Sequence, residues 1–213
     1  MQNIVDTTIA GFDAERITKW LNEFFRYKGD EFHIVFAPAM FPGGGYGAQK
    51  SVNSKEIVFQ VIRDNGSNQN DPFFCRPIDL VSLTFHEFGH GFINPAIEEK
   101  TELMEELELE DLYEPIEDRM RKMAYSNYIT FLNELHIRAM TIIAMEDYTG
   151  TSAETIKMLN QEKDKGFYLI DFTYNKLKEY KNSRNIYPTF KDFLPDLLKE
   201  YSENMTELLE LNE

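Results

Sequence analysis

Two histidines and a glutamate sit close together in the stretch TFHEFGHGFINP (84–95): His86, Glu87 and His90. On a helix, positions i and i+4 lie one turn apart on the same face, so His86 and His90 can offer imidazole nitrogens to one metal ion. Zinc takes such donors at about 2.0–2.1 Å, held in a fixed relation. Glu87 is offset by one position, which puts its carboxylate beside the open coordination position rather than on the metal. There it can take a proton from a water molecule whose pKa the ion lowers, and deliver it to a leaving amine once the carbonyl has been attacked.

HExxH is a short pattern, and a core helix can carry two histidines with no metal at all. The context argues for the metal. The chain has four histidines, and two of them fall in this motif. The surrounding LVSLTFHEFGHGF is otherwise apolar, so a carboxylate and two imidazoles are set into a half-buried helix, a costly placement that a bound cation would offset. Gly89 and Gly91 each weaken a helix by roughly 1 kcal/mol, which points to close approach by another element.

A catalytic zinc site needs a third protein ligand. The extended metzincin pattern fails, because the positions three and six after His90 are Ile93 and Ala96. An acidic ligand from a second helix is the main option. The run 97–118 holds eleven Asp and Glu residues, but they repeat in the manner of a solvated face. Glu134 differs: in YITFLNELHIRAM it is surrounded by Ile129, Phe131, Leu132, Leu135, Ile137 and Ala139. Such a carboxylate needs a counter-charge. Arg138, one turn on, can supply it as a simple i,i+4 pair, or can orient Glu134 from behind while Glu134 binds zinc. Asp147 and Asp111 are weaker candidates. His136, two residues from Glu134, points to nearly the opposite face and reads as a packed or surface histidine; His33 is expected in the sheet interior, with no role. Tyr46, Tyr125, Tyr128, Tyr168 and Tyr187 are equal candidates to stabilise a developing oxyanion.

These side chains need elements to hold them. DAERITKWLNEFFRY (13–27) has helical apolar spacing, with Asp13 as N-cap and Gly29 beyond the end. Strands are expected over 32–38, closed by Pro38, and over 55–64. Between them FPGGGYGAQ (41–49) reads as a glycine-rich bend. No Gly-Lys-Ser/Thr follows, so it is no phosphate loop; a plain turn is the simpler reading, and the feed to an exposed edge strand, where a peptide could pair, is the other. NGSNQNDP (65–72) reads as a polar loop. The motif helix is expected over 78–93, with Pro77 at its first turn and Asn94-Pro95 as a sharp stop. An acidic helical segment interrupted at Pro115, a long helix over 116–147 ending near Gly150, two further helices and a terminal helix capped by Thr189 follow, with Pro195 in its first turn or at a kink. The expectation is a single α+β domain over 1–213, mainly helical, with a small N-terminal sheet.

The bulk numbers bound the function. A chain of 213 residues with 42% apolar and 28% charged residues is globular. A net charge of −15 repels phosphates and anionic membranes, so neither nucleic acid nor membrane is expected as a partner. Cys75 is the single cysteine, so no internal disulfide can form. Nothing in the N-terminal stretch reads as a signal peptide, and no apolar run reaches membrane-spanning length.

With these residues in view, HEFGH followed by a downstream helical glutamate resembles the gluzincin branch of zinc metallopeptidases. More closely, HEFGHGFINP, NELHIRA and NIYPTFKDFLPDLL are similar to an uncharacterised bacterial family catalogued as a domain of unknown function with zincin-like motifs. The similarity runs from about residue 20 to residue 200. It implies zinc held by His86, His90 and Glu134, Glu87 as general base, and export to the periplasm or outside the cell. The expected function is therefore zinc-dependent hydrolysis of peptide bonds in a peptide or protein substrate. The alternatives are a catalytically inactive zinc-binding or interaction domain, and a metal-dependent hydrolase of a non-peptide amide.

Overall fold

Asp13 starts the helix that its sequence announces. Its carboxylate accepts from the Arg16 backbone N–H at 2.9 Å, capping α2 (Ala14–Phe25). Ile17, Leu21, Phe24 and Phe25 form the buried stripe, and Arg26 ends the helix in the left-handed region (φ 58°), two residues short of the expected end. An additional short helix, α1 (Gln2–Thr8), precedes it. The computed structural model describes residues 2–40, 45–63 and 74–212. The expected polar loop over 65–72 lies outside the described residues, as do positions 41–44 of the glycine-rich bend.

The chain packs as two compact units, Met1–Phe92 and Ile93–Glu213. The first holds a three-stranded sheet of order β1-β3-β2, from β1 (Glu31–Ala37), β2 (Tyr46–Val52) and β3 (Lys55–Arg63). β1 and β3 match the expected strands and pair in parallel. The described end of GGGYG, Tyr46-Gly47, is itself strand: it opens β2, an edge strand antiparallel to β3, as the second of the two readings expected. Asn53 and Ser54 close the β2–β3 hairpin with φ of 51° and 63°, the paired positive φ values of a two-residue hairpin turn. β2 is hard to read locally because YGAQKSV lies mostly exposed and carries no apolar alternation.

Aromatic rings join α2 and β1 to the helix that carries HEFGH. Phe25 stacks on Phe92 at 4.6 Å, Trp20 meets Phe85 edge-on at 5.3 Å, and Phe32 packs on Phe88 at 5.1 Å. The Tyr27 hydroxyl donates to the Phe92 carbonyl. That helix, α3, runs Pro77–Glu98 and does not stop at Asn94-Pro95. Pro95 sits inside it, and the Glu99 N–H bonds the Pro95 carbonyl at 3.1 Å. The lost rung costs about 3 kcal/mol. Ile93 and Ile97 beside it are fully buried, together worth about 3–6 kcal/mol, so packing outweighs the proline.

In the second unit the acidic segment is broken more finely than expected. It forms α4 (Thr101–Glu106), 3-10 turns over Leu109–Leu112 and Glu114–Ile116, and α5 (Glu117–Lys122). Met104, Leu109, Leu112, Ile116 and Met120 are buried, while all its carboxylates but Glu117 face solvent. The long helix expected from 116 divides: Ala124 turns the chain at φ 70°, and Asn127, accepting from the Thr130 N–H at 2.9 Å, caps a new helix. This is α6 (Tyr128–Thr149), ended by Gly150 at φ 70°. It is apolar nearly all round, as a central helix must be, and packs against α7 (Ala153–Lys165) and α8 (Ile170–Asn182). Thr189 and Asp192 form a capping box for α9 (Phe190–Glu203). α9 contains Pro195 beyond its first turn, and α10 (Met205–Glu210) follows. The fold is α+β and mainly helical, with one small sheet. Among the described residues no helix is long and apolar enough to cross a membrane.

Candidate metal centre

α3 presents His86 and His90 as its spacing requires, with ring centroids 5.2 Å apart and planes at 82°. Both rings are half-buried. Glu87 is 4% exposed, and its Oε2 lies 4.0 Å from His90 Nε2. The start of the edge strand presses directly on this turn. A Cβ at Gly47 would stand 2.1 Å from the Glu87 carbonyl oxygen and 2.9 Å from the His90 Cβ, and one at Gly45 would stand 2.6 Å from Glu87 Oε1. At Gly47 the clash is with backbone, so no side chain fits between strand and helix there, whereas a side chain at Gly45 would have to displace the Glu87 carboxylate. Gly91 lies closely under β3 as well, where a Cβ would stand 3.0 Å from a Val58 methyl.

Glu134 lies on the first turns of α6, 7% exposed. Arg138, one turn on, brings Nη2 to 3.1 Å from Glu134 Oε2, so the expected i,i+4 pair is present. The guanidinium also donates through Nη1 to Glu162 Oε2 at 2.7 Å and through Nη2 to the Tyr125 hydroxyl at 2.9 Å. It lies 4.5 Å from the Phe167 ring centroid. Burial works against the Arg138 charge, while Glu134 and Glu162 hold its pKa above the ordinary arginine value. Burial, and then the Glu134 charge, push the Tyr125 hydroxyl upward. Glu162 and Tyr125 were not legible as partners of Arg138, because they lie 24 and 13 positions from it.

His86, His90 and Glu134 form a group that could hold a metal ion: one ligand atom from each lies within 4.8 Å of the others. Donors held tetrahedrally by one ion at about 2.0–2.1 Å stand about 3.4 Å apart, so side-chain rotations that draw the ligand atoms together by roughly 1 Å would meet the requirement. The donor set, two imidazoles and a carboxylate, is one that zinc accepts. The residues present therefore fit the ion.

The other candidates have different places. Asp147, at the end of α6, is held by Lys181 at 2.6 Å, and Asp111 is exposed on a 3-10 turn. His33 is not in the sheet interior: it is exposed, stacked on Phe59 and 3.5 Å from Glu31. The pleat directs Phe32 and Ile34, not His33, to the α3 side. Among the tyrosines, Tyr168 donates to the Leu112 carbonyl and Tyr187 to Asp196. Tyr128 is half-buried on the first turn of α6. Tyr46 is 49% exposed beneath the Arg63 guanidinium. Tyr125 alone of the five bonds the arginine that pairs with Glu134. Burial pushes the Cys75 thiol up to about 11, which makes it a poor ligand at neutral pH.

His136 is a packed histidine with no exposure. Its Nδ1 lies 2.6 Å from the Leu132 carbonyl and so carries the proton, leaving Nε2 to accept from the Tyr201 hydroxyl at 3.4 Å. Burial lowers its pKa from 6.5 to about 4, against a small upward pull from the Leu132 carbonyl. A histidine depressed on folding binds protons more readily when unfolded. Stability is therefore complete above pH 6.5 and is lost as pH falls toward 4. Metal-free protein is expected to lose about 2 kcal/mol between pH 7 and pH 5 from this residue. Urea unfolding in chelator at the two pH values measures it, and equal free energies would show that His136 is not held neutral.

A family model described as Domain of unknown function (DUF4932) matches residues 5–200. No curated protein and no solved structure matches the chain.

Proposed function

The chain belongs to the family described as Domain of unknown function (DUF4932), a description that names no activity, and from that premise we propose that it is a zinc-dependent metallopeptidase of gluzincin type. The observation that carries the reading is the grouping of His86, His90 and Glu134 ligand atoms within 4.8 Å, with the buried Glu87 carboxylate next in sequence to one of them. A zinc ion there would polarise a scissile carbonyl and make a water molecule more acidic. His86, His90 and Glu134 would hold the ion, and Arg138 orients Glu134. Glu87 takes the proton of the attacking water as its oxygen bonds to the carbonyl carbon. It then gives that proton to the amine nitrogen as the C–N bond breaks, so each turnover returns Glu87 to its starting state. A purely structural zinc site has no use for a carboxylate beside an open position, and this favours catalysis over a metal-binding interaction domain.

The edge strand supports a peptide as substrate. The outer edge of β2 pairs with no other strand among the described residues, and its first residues lie against Glu87. An extended peptide added to that edge would be held by backbone hydrogen bonds and carried past the general base.

Metal analysis tests the reading first. Protein prepared without chelators in zinc-supplied medium is expected to carry close to one equivalent of zinc. Less than half an equivalent would remove the basis of the proposal.

A further inference from the structure

The contacts of Arg138 say more about the site than its pairing with Glu134. An isolated Glu–Arg pair one helical turn apart tends to close into a fork, with two N–H donors taking both carboxylate oxygens. A carboxylate so occupied has its charge neutralised and its lone pairs directed at arginine, and makes a poor metal ligand. Arg138 is drawn elsewhere. Its shortest contact, 2.7 Å, runs from Nη1 to Glu162 on α7, while Nη2 is divided between Tyr125 at 2.9 Å and Glu134 at 3.1 Å. The Phe167 ring fixes the guanidinium plane from one face. This orientation leaves the buried Nε–H without a hydrogen-bond partner among the described residues, which is unfavourable. The pull of the Nη contacts therefore sets the orientation.

Resting on the metal reading above, we propose that Glu162 is a positioning residue of the metal site: it holds Arg138 by Nη1, so that Glu134 is oriented by arginine but not neutralised by it. Arg138 and Glu162 are each 14% exposed at the side chain, and Glu134 9%, so the three charges interact with little solvent screening. Glu162 offsets the guanidinium charge from the α7 side, and the Glu134 charge remains for a cation. Lys165 also meets Glu162, at 2.7 Å, but it is 46% exposed and its influence is weakened by water.

The test is zinc affinity by competition with a chromophoric chelator, using the full chain. Glu162→Gln is expected to weaken zinc binding by up to roughly the 10- to 100-fold that losing a direct orienting partner of a ligand costs, because Arg138 is then free to fork onto Glu134. Glu162→Asp, which keeps the charge on a shorter arm, is expected to recover part of that loss. Melting in chelator reports folding separately. A brace with no connection to the metal would lower the melting temperature and leave zinc affinity unchanged, and that result overturns the proposal. If Glu162→Gln does not fold, wild-type affinity in Glu162→Asp overturns it instead. Wild-type protein that binds no zinc would sink the parent reading, whereas zinc binding that depends on Glu134 but not on Glu162 would sink this one alone.

Discussion

Glu87→Gln is expected to bind zinc as tightly as the wild type and to hydrolyse peptides about 10²–10⁴-fold more slowly. The substitution preserves shape, which matters where the carboxylate lies 4% exposed against Gly45. It removes only the basic oxygen, so water can enter but has no acceptor for its proton. Digestion of a broad peptide mixture, read by mass spectrometry, compares the two proteins at equal zinc content. Equal cleavage would take the general-base role away from Glu87. A wild type that holds zinc and cleaves no peptide, but does hydrolyse a small amide, would move the reading to the non-peptide alternative.

Glu134→Ala is expected to weaken zinc binding by more than the roughly 10- to 100-fold that an orienting partner is worth, because it removes a direct ligand. The variant should still fold. Arg138 keeps Glu162 and Tyr125 at 2.7 and 2.9 Å, so no buried charge is left uncompensated. Chelator competition gives the affinity, and melting in chelator gives the stability. Unaltered affinity would exclude Glu134 as a ligand and direct attention to Asp111 or Asp147, both outside the group that His86 and His90 form.

Elements with strong local signals were legible in the sequence. Asp13, Asn127 and Thr189 have side chains that bond the first-turn N–H groups of their helices, and such caps act over three residues. Of these, Asn127 was the one overlooked, because an apolar pattern continuing through 116–126 hid the break at Ala124. The proline at 95 misled for the opposite reason. Its local cost is real, but burial of Ile93 and Ile97 decides whether the helix continues, and burial depends on distant neighbours. The edge strand after the glycine-rich segment was one of two readings and the less simple one, because an edge strand needs a partner's backbone more than an apolar face. His33 was misplaced by one step of the pleat, since alternation shows that two faces exist without showing which is covered.

The division into two units has no sequence counterpart. It falls between Phe92 and Ile93, inside α3, where the helix continues without a linker. A boundary within a helix changes neither composition nor periodicity, so no local reading finds it.

By itself the sequence determined what one turn of helix can determine: two imidazoles four positions apart, a carboxylate beside them, and on another helix a carboxylate one turn from an arginine. These relations follow from helical geometry alone. Only the tertiary structure decided that Glu134, 44 positions after His90, joins the histidines while Asp111 and Asp147 do not. It also decided that Gly45 and Gly47 bring an edge strand onto Glu87, and that Glu162 and Tyr125 share Arg138 with Glu134. The physical reason is range. Hydrogen-bonded spacing along a helix reaches about four residues, whereas a ligand set is completed by packing between segments whose separation along the chain carries no information about their distance in space.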